Sequence, residues 1–170
     1  PPLSNVMLLA LPSFDGLMQV FAELRRRLSL SAFEFFTDIA LKHVCAHGAQ
    51  NPFGEVHPYY VVTEFDAASD DQQNAVLSAF ESLLEQGLVL DAALWRLREG
   101  ITESLAPHTP YKNDISVRVS AMPAFLAEAQ SLLGEAYPHF EVVWFGHIGD
   151  GNLHINVLKP TELAMPAFVK

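Results

Sequence analysis

Three stretches of this 170-residue chain follow the same order of patterns: a strand-like alternation, a helical stretch and a second strand. They begin at Val6, Tyr59 and Asp114. Their strands mostly alternate apolar with polar residues, which favours an antiparallel sheet over a parallel sheet buried on both faces. Repeated units of this kind are typical of ferredoxin-like folds. The sequence therefore predicts an α+β fold with a largely antiparallel sheet and helices on one face, leaving the other face free to meet something else.

Local signals place the elements within these units. Ser13 is in position to cap a first helix, and Ser69 with Gln72 resembles a capping box. Ser120 is expected to cap the last helix. Predicted strands cover residues 6–11, 30–36, 59–65, 88–90 and 114–119, with a hairpin over 142–158; further helices are predicted over 38–46 and 92–105.

Composition excludes several classes of protein. The net charge of −10 argues against a nucleic-acid surface, which needs a basic stripe. The single cysteine, Cys45, excludes an internal disulfide framework and fits a reducing compartment. No apolar run approaches the roughly 18–20 residues of a membrane span, and no signal peptide is recognisable. The chain begins Pro-Pro-Leu and stops soon after a strand, so we expect residues 1–170 to be one domain of a longer, cytoplasmic protein.

The most informative stretch for function lies around Asp150-Gly151, a dipeptide that favours a two-residue hairpin turn. A turn closed there places His147 directly opposite His154, with Asn156 on the same face. Two imidazoles can supply half of a site for zinc or a similar metal, although simple packing of the two rings is the commoner explanation of such spacing. Asp150 is a poor ligand candidate, because aspartate at a turn tip is explained by its backbone preferences.

A second group of candidates could bind an acid. Arg98 and Thr102 are four residues apart on a predicted helix, so Arg98 could grip a carboxylate while Thr102 adds a hydroxyl. Lys112 lies in a loop just before a predicted strand. For all three residues a solvated surface position is the commoner explanation of such a pattern. Cys45 has no recognisable activating partner, and no glycine-rich phosphate loop stands between a strand and a helix.

Residues 147–156 closely resemble the signature of the C-terminal domain of FAD-linked oxidases of the vanillyl-alcohol-oxidase type. The nearest branch holds D-2-hydroxyglutarate dehydrogenase, D-lactate dehydrogenase and the glycolate oxidase flavin subunit. Other segments agree with this family in order: Ser31-Ala-Phe-Glu-Phe, Asn51-Pro-Phe, His57-Pro-Tyr-Tyr-Val, Leu97-Arg-Glu-Gly-Ile-Thr-Glu and Tyr111-Lys-Asn-Asp-Ile-Ser. The resemblance thus spans nearly the whole chain.

The resemblance implies an enzyme that oxidises a D-2-hydroxy acid to the 2-oxo acid. It implies that His147 and His154 bind a divalent metal, usually zinc, and that the substrate is contacted by Arg98, Thr102, Lys112 and Asn156. FAD would be held mainly by a preceding domain of the same polypeptide and reoxidised by an electron acceptor. A later segment of the type Ser-Ala-Glu-His-Gly would add the last metal ligand and the general base, so the isolated chain is expected to be inactive.

Other readings stay open. Arg118 stands where members of this family commonly carry proline, which leaves the substrate subtype undecided. The chain could instead be a stand-alone ferredoxin-like module that binds a small acid or a metal as a regulator, or a structural domain whose hairpin histidines only pack. A mitochondrial location replaces the cytoplasmic one if the source is eukaryotic, and peripheral membrane attachment is a further option.

Overall fold

One antiparallel sheet forms the centre of the molecule. The computed structural model describes residues 4–94, 105–164 and 168, and within them seven strands follow the order β4-β1-β3-β2-β6-β7-β5. All neighbouring strands pair antiparallel, which confirms the predicted α+β class. The strands are β1 Ser4–Leu11, β2 Leu30–Thr37, β3 Tyr59–Asp66, β4 Asp91–Leu94, β5 Tyr111–Ser116, β6 Glu141–His147 and β7 Asn152–Leu158.

The described helices are α1 Phe14–Arg27, α2 Asp38–Ala46, α3 Asp70–Glu85 and α4 Met122–Ala136. Two predicted caps are confirmed: the Ser13 hydroxyl accepts a hydrogen bond from the Gly16 N–H at 3.0 Å, and Ser69 forms a complete capping box. The predicted Ser120 cap is wrong. Ser120 lies in a short 3₁₀ turn, and α4 begins after it with Pro123 in its first turn, where the missing N–H leaves one donor fewer to satisfy.

Two strand predictions needed shifting. Residues 88–90 are not a strand, because the N–H groups of Leu88 and Val89 both return to the Leu83 carbonyl and close the end of α3. The strand follows at Asp91–Leu94, so the predicted helix over 92–105 is wrong at its start, and its remainder lies largely outside the described residues. β5 runs over Tyr111–Ser116 instead of 114–119, because it ends opposite Asn152, the first residue of its partner β7.

Helices α1, α3 and α4 share one apolar core with the sheet, whose buried members include Leu17, Phe80 and Leu126. Helix α2 and residues 47–58 contribute to a second core on the other face, with Leu41 and Phe53, so the predicted placement of the helices on one face is wrong for α2. The half of the sheet formed by β1, β3 and β2 is largely apolar on both faces, so both faces must be covered to remove it from water. The half formed by β6, β7 and β5 carries polar side chains on its second face.

Candidate functional site

The hairpin between β6 and β7 has a longer turn than the sequence predicted. A 3₁₀ turn over Ile148–Asp150 is followed by Gly151 in the left-handed region, at φ 74°. Ile148 is fully buried, and the Asp150 carboxylate accepts a hydrogen bond from the Asn152 N–H at 3.1 Å. A two-residue turn would have left Ile148 in β6, whereas here Ile148 belongs to the turn and its side chain is buried in the core. The predicted type I′ turn is therefore wrong.

The longer turn also changes the pairing. His147 lies opposite Asn152, and His154 lies opposite Phe145, so the predicted direct opposition of the two histidines is wrong. Because the shift amounts to two residues and side chains repeat every two residues, both histidines stay on the same face. Their ring centroids are 5.5 Å apart with planes at 83°. The two imidazoles are therefore neighbours in space, as predicted.

Each of these imidazoles meets a carboxylate on the adjacent strand. His154 Nδ1 forms a hydrogen bond of 2.6 Å with Asp114 Oδ1, and His147 Nδ1 lies 3.3 Å from Glu34 Oε1. In both cases the carboxylate residue is the direct register partner of the histidine. The sequence interpretation missed both acids, although Glu34 is a polar residue between two phenylalanines and so belongs on the second face of its strand.

The same face carries a small cavity of about 230 Å³, lined by Leu105, Lys112, Asp114, Phe145, His154 and Asn156. Lys112 and Asn156 are register partners on β5 and β7. Asn156 is only 5% exposed, whereas Lys112 is exposed. The structure thus brings together three of the residues predicted to form the site: Lys112, His154 and Asn156. His147 joins them through its ring contact with His154.

Arg98 and Thr102, the remaining predicted substrate residues, lie outside the described residues. Their predicted roles are therefore untested. Leu105, the first described residue after that gap, is 1% exposed and forms part of the cavity wall. The wall contributed by Leu105 and Phe145 is apolar, so the cavity combines a cation and an amide with an apolar surface.

The donor atoms fit a metal in type. Neutral imidazole is a common metal ligand, and ligating histidines usually engage a carboxylate or a carbonyl through their other ring nitrogen, as His147 and His154 do here. Their number is insufficient for a closed site. Within residues 4–94, 105–164 and 168, no three His, Cys, Asp or Glu side chains lie close enough together to hold a metal ion.

Other candidate groups have structural explanations. Asp150 closes the hairpin turn through its bond to the Asn152 N–H. His43 is buried, hydrogen-bonds Glu141 and meets the edge of the His108 ring. Burial raises the pKa of the Cys45 thiol above its ordinary value, so the thiol is protonated at neutral pH and is a poor nucleophile.

In the described part of the chain, no helix is both long and apolar enough to cross a bilayer.

Comparison with known proteins agrees with the resemblance seen in the sequence. The family described as FAD linked oxidases, C-terminal domain, matches residues 1–167. A D-2-hydroxyglutarate dehydrogenase of Xanthomonas citri pv. viticola is 68% identical over 99% of this chain and 38% of its own length. The enzyme of the same name from Stutzerimonas stutzeri is 45% identical over 96% of this chain and 38% of its own length. The mitochondrial D-2-hydroxyglutarate dehydrogenase of Bos taurus is 36% identical over 92% of this chain and 31% of its own length.

A structural neighbour supports the same fold. The alkyldihydroxyacetonephosphate synthase structure matches with a TM-score of 0.59 at 9% sequence identity, covering 95% of this chain and 37% of that one. The chain spans 38% of the length of the two bacterial relatives. The match of the family to residues 1–167, with relatives at 68% and 45% identity, shows that the chain belongs to the C-terminal domain family of FAD-linked oxidases.

Proposed function

We propose that this chain is the substrate- and metal-binding domain of a flavin-dependent dehydrogenase that oxidises a D-2-hydroxy acid to the 2-oxo acid. The observation that supports it most is the cavity in which Lys112, Asn156 and His154 meet. A cation, a buried amide and an imidazole are the groups that an acid with a neighbouring hydroxyl would need. D-2-hydroxyglutarate is the first substrate to test, since the two bacterial relatives bear that name.

Each residue has a separate task in this proposal. The Lys112 ammonium pairs with a substrate carboxylate as a charged hydrogen-bond donor. Asn156 is buried, so its amide is held in place before the substrate arrives and can bind the carboxylate or the hydroxyl. Arg98 and Thr102 are proposed to add a second cation and a hydroxyl from the preceding segment. Leu105 and Phe145 keep water away from the bound acid.

His147 and His154 would hold the divalent metal, with zinc as the first choice for imidazole ligands. When bound, the metal would lower the pKa of the substrate hydroxyl, and the flavin would take the hydride from C2. A third ligand and the general base must come from outside these residues, and we propose that the rest of the polypeptide supplies them together with the FAD-binding domain. A cytoplasmic location and an electron acceptor also remain predictions.

The test uses the full-length flavoprotein and an artificial electron acceptor. D-2-hydroxyglutarate, D-lactate and glycolate are compared as substrates, with and without a metal chelator. We expect turnover of one of the acids, inhibition by the chelator, and near-complete loss of activity in His147→Ala. His139→Ala is the matched control, because His139 is an exposed histidine away from the described cavity.

Different outcomes would separate the competing functions. Nearly intact activity in His147→Ala would refute the metal-binding role and support histidines that only pack. A full-length protein that binds a hydroxy acid but carries no flavin would instead indicate a regulatory module.

A further inference from the structure

Two acidic residues occupy equivalent positions on either side of the histidine hairpin. Glu34 lies on β2 opposite His147, and Asp114 lies on β5 opposite His154. The two strands flank the hairpin from opposite sides, because the order is β2-β6-β7-β5. Each imidazole therefore has a carboxylate of its own, supplied by a different strand.

The contacts use the same ring atom in both histidines. His154 Nδ1 and His147 Nδ1 are the nitrogens next to Asp114 and Glu34, at 2.6 Å and 3.3 Å. A carboxylate accepts a hydrogen bond from Nδ1–H and thereby favours the tautomer in which Nε2 carries the free lone pair. A metal can bind only to the nitrogen with that lone pair, so the carboxylates decide which atom of each ring is the ligand.

The two pairs differ in their surroundings. The Glu34 side chain is 20% exposed and stands between Phe33 and Phe35, so its position is set by the sheet. The Asp114 side chain is 75% exposed and also lines the cavity, two residues along the strand from Lys112. Neither carboxylate is explained by packing of an apolar core. Because the Asp114 side chain is mostly exposed, replacing it leaves no void in the apolar core.

We infer that Glu34 and Asp114 are positioning residues that hold His147 and His154 through Nδ1 and so make the two Nε2 atoms the metal-binding nitrogens. This inference rests on the proposed function, because it assumes that the two histidines bind a metal. Outer carboxylates of this kind raise the basicity of an imidazole and fix its orientation, and their loss typically weakens metal binding by about 10–100-fold.

The experiment measures zinc affinity of the full-length flavoprotein, made metal-free and titrated in competition with a chromophoric chelator. The variants are Asp114→Ala, Asp114→Asn, Glu34→Ala and Glu34→Gln, with His154→Ala as the reference for the loss of a metal ligand. We expect both alanine variants to bind zinc about 10–100-fold more weakly. The amide variants should recover part of the affinity, because an amide oxygen can still accept the Nδ1–H bond without its charge.

Controls separate positioning from other effects. Asp150→Asn removes a negative charge from the same hairpin, but the Asp150 carboxylate accepts the Asn152 N–H of the turn, so the change should leave zinc affinity unchanged. The spectrum of bound Co²⁺ should change in the Asp114 variants while the melting temperature of the metal-free protein stays the same. If Glu34→Ala fails to fold, the exposed Asp114 still decides the matter.

Three results would overturn the inference. Unchanged zinc affinity in both Asp114 variants would show that the contact has no role. A loss as complete as that of His154→Ala would identify Asp114 as a metal ligand. A wild-type protein that binds no zinc would refute the metal site itself, and with it both proposals, whereas zinc binding that depends on the histidines alone would refute only this one.

Discussion

At the scale of single residues, Lys112 is the cavity residue with the most direct electrostatic role in the proposed site. It is the only cation among the described residues that line the cavity, and it faces the buried Asn156 across the β5–β7 pair. The chain as a whole carries a net charge of −10, which repels an anionic substrate at long range. A local cation is therefore needed to bind an acid here.

We predict that Lys112→Met raises the KM for the hydroxy acid about 10–100-fold, because a hydrogen bond to a charged group contributes about 1.5–3 kcal/mol. Steady-state kinetics of the full-length enzyme measures it. Lys42→Met is the control, since the Lys42 side chain is 75% exposed on α2 and makes only a 3.9 Å ion pair with Glu141. An unchanged KM in Lys112→Met would remove Lys112 from the proposed site.

Substitutions at two glycines of the hairpin turn can test whether its conformation requires glycine. Gly151 has a positive φ of 74°, and a Cβ there would lie 2.0 Å from the Val117 carbonyl oxygen. Gly149 has open space around a Cβ. We predict that Gly151→Ala destabilises the protein by at least the roughly 1–2 kcal/mol of a left-handed residue. Gly149→Ala should be neutral within about 0.5 kcal/mol. Urea unfolding compares them, and equal losses would contradict this account of the turn.

At the scale of elements, local chemistry determines where the helices begin. The Ser13 hydroxyl binds the Gly16 N–H, whereas Ser120 precedes α4 without forming a cap. We predict that Ser13→Ala lowers the free energy of unfolding by about 1 kcal/mol. Ser120→Ala, at an exposed position, should change it by less than about 0.5 kcal/mol. Denaturant unfolding followed by circular dichroism measures both, and a larger loss in Ser120→Ala would restore the cap that the sequence predicted.

Elements whose boundaries depend on local signals could be predicted from the sequence, and those set by distant partners could not. Helix α2 was predicted with its observed bounds, and the capping box of α3 is present. β5, in contrast, takes its bounds from pairing with β7. The hairpin register depended on Ile148, whose burial in the core lengthens the turn. No pattern within the hairpin shows that tertiary contact.

The two candidate histidines were predicted to lie together, and they do, because strand periodicity survives an error of two in register. His147 and His154 keep the same face whether the turn has two residues or four. Their carboxylate partners could not be predicted, because Glu34 and Asp114 are 113 (147 − 34) and 40 (154 − 114) residues away in sequence and meet them only through the strand order. Arg98 and Thr102, which helical spacing made candidates and the family resemblance supported, lie outside the described residues.

At the scale of the whole molecule, the two halves of the sheet differ in how their faces are covered. The half with β1, β3 and β2 is covered on both faces and provides stability. The half with β6, β7 and β5 has a helix-covered apolar face and a second face, of mixed polar and apolar side chains, that carries the cavity. This mixed face provides one wall of the proposed site, and the chain spans 38% of the length of its bacterial relatives.

We therefore predict that residues 1–170 alone neither retain FAD nor oxidise a hydroxy acid. The sequence has no glycine-rich phosphate loop between a strand and a helix, and a net charge of −10 opposes binding of the FAD pyrophosphate. The isolated chain is mixed with FAD, passed through gel filtration and assayed with D-2-hydroxyglutarate, while circular dichroism confirms that it is folded. The full-length protein, treated in the same way, should be yellow and active. A yellow, active preparation of the isolated chain would show that the flavin site and the general base lie within these residues. That result would contradict the proposal that the rest of the polypeptide supplies them.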